Sequence, residues 1–253
     1  MGYKDVKRSN PNKQTNVLAI INQKGGVGKS TTAINLSAAL GEEHKKCLVI
    51  DFDPQGNTTS GYGIDKDELE HDIYDALLEG YSMSELIVET PEPRVFVVPA
   101  TIQLAGAEIE LVSKIARESI LKNLIAEVKD EFDYVFIDCP PSLGLLTINA
   151  LSAANGLLIP IQCEYYALEG VSALMGTIQK VQKINRHLAI EGVVLTMLDA
   201  RTNLGVQVAQ EVRKVFKNKV YKTVIPRNVR LGEAPSHGLP IHLYDPRSLG
   251  AQS

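Results

Sequence analysis

The stretch that most constrains the fold is NVLAIINQKGGVGKSTTAINL, residues 16–36. A β-rich apolar run at 16–22 enters a glycine-rich turn. Apolar residues then recur at helical spacing: Ala33, Leu36, Ala39 and Leu40. KCLVIDFD (46–53) follows as a second buried strand that ends in acids. Strand, glycine turn, helix and strand make a βαβ unit, and such a unit needs a parallel sheet. The alternation continues with strands expected at RVFVVPA (94–100), in DYVFIDCPPS (133–142), at GLLIPIQ (156–162), at IEGVVLTML (190–198) and in KVYKTVIP. Helical patterns lie between them, LAGAEIELVSKI and ESILKNLIAEVKDEF among them, and short surface helices are expected in ELEHDIYDALLEG and SMSELIVE. PQGNTTSGYG (54–63) reads as a loop by composition. The expected architecture is α/β: a doubly wound, mostly parallel sheet with helices on both faces. Ligands of such sheets sit at the carboxyl ends of the strands, and the turns at 22–31, 51–61 and 138–144 all fall there.

Those turns carry phosphate chemistry. GGVGKS matches the end of the pattern G-x-x-x-x-G-K-[ST], but Gln23 stands where the first glycine belongs. Lys24-Gly25-Gly26 takes over the loop. Glycines still let backbone N–H groups turn inward around phosphate oxygens, and the helix that opens there points its positive end at the same place. Lys29 is placed to reach the β- and γ-phosphates, and the Ser30 hydroxyl to bind Mg²⁺. Asp138, in DCPPS at the end of an apolar strand, is the expected second acid, holding Mg²⁺ through water. Asp51 and Asp53 share a strand face at a spacing of two. Asp53, at the edge of the loop, is the expected holder of a water near a γ-phosphate and a neighbour of the metal. Asp51 is expected to be buried and hydrogen-bonded near the magnesium.

The chain has 253 residues, 44% hydrophobic and 22% charged, which suits one globular domain. No apolar run approaches a membrane span. Residues 1–16 are polar, lack the apolar stretch of a secretory signal, and are expected to form a disordered leader before a single domain at 17–253. Cys47, Cys139 and Cys163 stand far apart and form no CxxC, so they read as small core residues of a reducing cytoplasm. The net charge of −4 does not advertise nucleic acid, but the charge is unevenly distributed. Residues 201–253 hold nine Lys/Arg against three acids, or +6, which leaves −10 for residues 1–200. Charge alone does not separate a polyanion-binding face from a solvated surface.

KGGVGKST with its leading lysine, DFDPQGN and DCPPS together resemble the deviant phosphate-loop ATPases of the ParA/MinD class. VPATIQLAGAEIEL, QCEYYALEG, LTMLDARTNLG and IPRNVRLGEAPSHGLPI…YDPRS are similar to the chromosomal ParA (Soj) family, over nearly the whole chain from Val17 to Gly250. The resemblance implies a weak Mg²⁺-dependent ATPase that dimerises face to face around two ATPs. Lys24 falls on the family's signature lysine, which crosses to the partner's phosphates, and Asp53 on its catalytic aspartate. Switch loops fall on Asp53–Gly61 and Asp138–Gly144. The implied ATP contacts are Lys24, Gly25, Gly26, Val27, Gly28, Lys29, Ser30 and Thr31, with Pro226 and Asn228 at the adenine end. The family's DNA-binding arginines fall on Arg201 and Arg230, inside the +6 segment. The implied partners are a second copy of the chain, nonspecific double-stranded DNA on the nucleoid, and a ParB-type centromere-binding protein; no membrane is implied.

Two departures stand out. Ser30 replaces the more usual threonine and keeps its hydroxyl. The chain ends at PRSLGAQS, where family members usually continue through a final helix. A MinD-like membrane-cycling ATPase is the alternative reading; it needs a basic amphipathic C-terminal helix, which YDPRSLGAQS does not supply. A reductase sharing a cluster between two chains would have to use Cys139 and Cys163, whose spacing and surroundings do not suit it.

Overall fold

The computed structural model describes residues 15–164, 169–199 and 201–253. The expected leader therefore falls, up to residue 14, outside the described residues. Thr15 is already part of the domain: it is buried, and its hydroxyl donates to the carbonyls of Lys129 and Phe132 at 2.8 and 3.0 Å.

In chain order, β1 (Asn16–Ile20) leads through the glycine loop to α1 (Lys29–Glu42) and β2 (Cys47–Asp51). Next come α2 (Asn57–Gly61), α3 (Ile73–Leu78), the two-residue β3 (Val88–Glu89), β4 (Val95–Val98), α4 (Leu104–Glu110) and α5 (Ile120–Val128). β5 (Tyr134–Asp138), α6 (Leu145–Ala153), β6 (Gly156–Gln162), α7 (Glu169–Val181) and β7 (Ala189–Leu198) follow. The chain continues through α8 (Asn203–Phe216), β8 (Val220–Pro226) and three short helices, α9 (Val229–Glu233), α10 (Ile241–Tyr244) and α11 (Leu249–Gln252).

The strands form one sheet in the order β3-β4-β2-β5-β1-β6-β7-β8, in which only the β3–β4 pair is antiparallel. Helices cover both faces. Along β1, β2 and β5, alternate side chains enter two separate cores. Ile20, Val49 and Phe136 pack with Ala33 and Ile34 of α1. Ala19, Leu48, Ile50, Val135 and Ile137 pack on the other side with residues of α3, α5, α6, α7 and α8. Every residue of β2 is buried, the burial pattern of a strand covered on both faces. Each fully buried Phe or Ile in these layers contributes about 1.5–3 kcal/mol relative to exposure.

Three differences from the sequence reading are informative. Residues 54–63 are not all loop, because Asn57–Gly61 forms α2. SMSELIVE contributes a single helical turn at Met83–Glu85 and then β3, rather than a helix. The helical pattern beginning at Leu104 ends as α4 at Glu110, and a tighter turn at Leu111–Ser113 follows.

Register then positions the site. Asp138 at the end of β5 is paired with Asp51 on one side and with Ile20 on the other. The three motif-bearing turns therefore leave the sheet side by side, from the adjacent strands β2, β5 and β1.

Candidate nucleotide site

The loop between β1 and α1 is fixed from below by buried side chains. Asn22 donates its Nδ2 to the Pro160 carbonyl on β6 at 2.7 Å, and its Oδ1 accepts the Lys24 amide at 2.9 Å. Thr196 on β7 donates its hydroxyl to the Val27 carbonyl at 2.8 Å. Gly28 enters α1 with φ of +92°, in the left-handed region that favours glycine. Gly25 and Gly26 are exposed at the rim and Val27 is buried beneath it. The first N–H groups of α1 have no partner within the helix and stand at the positive end of its dipole.

The two lysines of the loop have different surroundings. Lys29 is 7% exposed, and its Nζ lies 3.4 Å from the Lys24 carbonyl, curled under the loop where a phosphate belongs. Lys24 is half-exposed, and its Nζ lies 3.6 Å from Glu164 Oε2. Glu164 also accepts Gln162 Nε2 at 2.6 Å and pairs with Arg227 at 3.2 Å. Sequence reasoning gave Glu164 no role of its own, and its pairing with a residue 140 positions away left no local signal. Thr196, 169 positions from Val27, was silent for the same reason.

The acids converge as the strand register requires. Asp138 is fully buried; its Oδ2 accepts the Thr58 hydroxyl at 2.8 Å, while its Oδ1 is buried without a partner. An orphaned buried carboxylate oxygen is costly unless something completes it. Burial raises the Asp138 carboxyl, while the Ser30 hydroxyl, Thr58 and the Lys29 ammonium pull it back down. Asp51 is also fully buried and accepts both the amide and the hydroxyl of Thr59 at 2.7 Å. Burial and then the adjacent Asp138 push its carboxyl upward. Asp53 is 7% exposed; its Oδ1 accepts the Gln55 amide at 3.0 Å, and its carbonyl the Gly56 amide at 2.8 Å. Gly56, with φ of +59°, starts α2, and a Cβ there would stand 2.5 Å from the Ala100 carbonyl. Thr58 and Thr59 of α2 thus clamp the turn after Asp53 onto both buried acids.

Ser30, Asp138 and Asp53 offer one hydroxyl and two carboxylates beside Lys29. Among the described residues no cluster of three or more His, Cys, Asp or Glu forms a metal cage. That donor set, with the orphaned Asp138 oxygen, fits a hard cation that keeps several waters and takes further oxygens from phosphates. Thr31 lies behind Ser30 on α1, its carbonyl accepting Asn35 Nδ2 at 2.8 Å. Pro226 ends β8, and Asn228 caps α9 by accepting the Leu231 amide at 3.4 Å, which leaves its amide NH₂ free to donate. Arg201 and Arg230 lie on the surface beyond β7 and β8, both exposed and ion-paired within the chain.

The thiols do not belong to this site. Cys47, Cys139 and Cys163 are all buried, and burial pushes the Cys47 thiol up to about 12 and the Cys163 thiol up to about 11. Cys139 Sγ turns inward to the Ile137 carbonyl at 3.7 Å, which does not suit a cluster ligand at a dimer surface.

Residues 15–190 match the model of a family described as an AAA domain. The chain is 61% identical to the sporulation initiation inhibitor protein Soj of Bacillus subtilis over 237 residues, 93% of this chain and 94% of that one. It is 52% identical to the chromosome partitioning protein ParA of Myxococcus xanthus over 238 residues, 94% of this chain and 84% of that one. The chain belongs to the ParA/Soj family. Among solved structures it is similar to cobyrinic acid a,c-diamide synthase from Mycobacterium smegmatis with bound ADP and magnesium. That similarity has a TM-score of 0.81 and 39% identity, over 92% of this chain and 97% of that one. The ParA/Soj assignment agrees with the doubly wound sheet and with the place of the glycine loop at its carboxyl edge. Among the described residues no helix is long and apolar enough to cross a membrane.

Proposed function

We propose that this chain is a Mg²⁺-dependent ParA-type partitioning ATPase that pairs with a second copy around ATP and binds duplex DNA without sequence preference. The observation that carries the reading is the meeting of Lys29, Ser30, Asp138 and Asp53 at the ends of three adjacent strands, beside the glycine loop that opens α1. Its 61% identity to Soj supports the partitioning role.

The loop amides and Lys29 bind the phosphates of ATP and neutralise charge that builds up on the γ-phosphoryl group during transfer. Ser30 and Asp138 would hold Mg²⁺, with Asp53 beside it, and a bound ion would supply positive charge against the phosphates. Asp53, fixed by the Gln55 amide, orients the attacking water, and little more than orientation is asked of it. Pro226 and Asn228 receive the adenine. Lys24 leaves Glu164 and crosses to the partner's phosphates, so each ATP is held by both chains and hydrolysis loosens the pair. Pairing places two copies of Arg201 and Arg230 on one surface, where they contact the DNA backbone. A ParB-type partner acts on the assembled pair.

Gel filtration tests this reading. Wild-type chain with Mg²⁺ and ATP elutes as a dimer, Lys24→Ala fails to hold that dimer, and ADP leaves both monomeric. A Lys24→Ala chain that dimerises with ATP as wild type does would contradict the role given to Lys24.

A further inference from the structure

Both arginines of the basic face are already occupied. Arg201 Nε and Nη2 donate to the two carboxylate oxygens of Asp199 at 2.8 and 2.7 Å, a two-pronged pair. Asp199 Oδ1 also accepts the Arg201 amide at 3.0 Å, and its carbonyl accepts the Thr202 hydroxyl at 2.9 Å. Asp199 thus holds Arg201 in place ahead of α8 and cancels the charge it presents. Arg230 repeats the arrangement: Nη1 lies 2.8 Å from Glu233 Oε2, and Nε lies 3.4 Å from Asp245 Oδ2. Tyr244 donates its hydroxyl to the same Glu233 oxygen at 3.3 Å, which keeps that carboxylate in place. All three acids of the +6 segment are Glu211, Glu233 and Asp245, and two of them are committed to Arg230.

We propose that Asp199 and Glu233 are affinity-setting counter-ions of the DNA face: each holds its arginine aligned but electrically screened, and a backbone phosphate must displace the carboxylate to bind. The proposal rests on the DNA-binding reading above. An exposed cation facing only solvent releases a phosphate counter-ion on binding and gains the full salt-dependent term. An arginine that starts on a carboxylate exchanges one anion for another, and the freed carboxylate takes up a cation, which subtracts from that term. Each chain alone therefore grips DNA weakly despite its positive end, and binding depends on joining two such faces. Ion pairs this exposed are individually weak, so displacement by phosphate is accessible. The Arg201 guanidinium also holds the Asp199 carboxyl down at about 2, so the screen does not titrate near neutrality.

The test is fluorescence anisotropy of a labelled random-sequence duplex against the full chain with Mg²⁺ and ATP, across a salt series. Asp199→Asn keeps an oxygen for the Arg201 amide and removes the charge. It should bind roughly two- to five-fold tighter at moderate salt, with a log–log salt slope steeper by about 0.9 per chain. Combining it with Arg201→Ala should return binding to the level of Arg201→Ala alone. Glu233→Gln, in a separate turn, should act in the same direction through Arg230 and keeps the test valid if the Asp199 turn does not tolerate asparagine. Unchanged or weaker binding in both variants, with wild type still bound and Arg201→Ala still impaired, overturns the screening role. If wild type shows no ATP-dependent duplex binding at all, the DNA reading itself fails, and the inference with it.

Discussion

Lys24 and Lys29 are five residues apart in one loop, yet one is parked on a surface carboxylate and the other is curled beneath the backbone. The two roles proposed for them follow that contrast. Lys29→Ala should abolish ATP binding, read by loss of a fluorescent ATP analogue's signal, because Lys29 is the buried cation held under the loop. Asp53→Ala should retain ATP binding, lower hydrolysis by roughly 10²-fold or more, and accumulate an ATP-bound dimer on gel filtration; an Asp53→Ala chain that stays monomeric with ATP would remove Asp53 from the water-holding role. The buried acid pair gives a pH signature. Asp51 is raised, so between the ordinary carboxylate range and its raised value the folded chain keeps a proton that the unfolded chain has lost. In that window stability falls as pH rises, and Asp138 adds to it with the same sign. Thermal melting without Mg²⁺ should therefore decline between pH 5 and 8 in wild type and flatten in Asp51→Asn. Equal slopes would show that the carboxyl is charged in the fold.

At the scale of elements, the βαβ opening and the positions of the long strands were legible because buried parallel strands are short continuous apolar runs. Asp51, Asp53 and Asp138 were legible because they end such runs. What was hidden depends on tertiary contacts. NTTSG lacks helical periodicity and reads as loop. It forms α2 because Thr58 and Thr59 are held by Asp138 and Asp51, strands away in the sheet. β3 is two residues long and exists only through its pairing with β4. Glu164, Thr196 and Asn22 hold the loop through partners that no sequence window contains. The α2 clamp makes its own prediction. Gly56→Ala must seat a Cβ against the Ala100 carbonyl at a left-handed φ, and should cost about 1–3 kcal/mol in chemical denaturation. No loss would show that the turn relaxes freely and does not clamp the acids.

On the whole molecule, charge and site lie at different places on one frame. The proposed nucleotide site lies at the carboxyl edge of β2, β5 and β1, while the basic segment follows β7 and β8. Pro226 and Asn228 sit between them, at the end of β8 and the start of α9. Arg201→Ala and Arg230→Ala should each weaken duplex binding at low salt and reduce the salt slope by about 0.9 per lost phosphate contact, while ATP binding persists. The central claim is that ATP, by pairing two chains, creates the DNA-binding surface. Duplex binding measured with ATP and with ADP across one salt series tests it most directly. Binding should be salt-sensitive and sequence-independent with ATP and slight with ADP; equal affinity with both nucleotides would mean that pairing does not build the DNA surface.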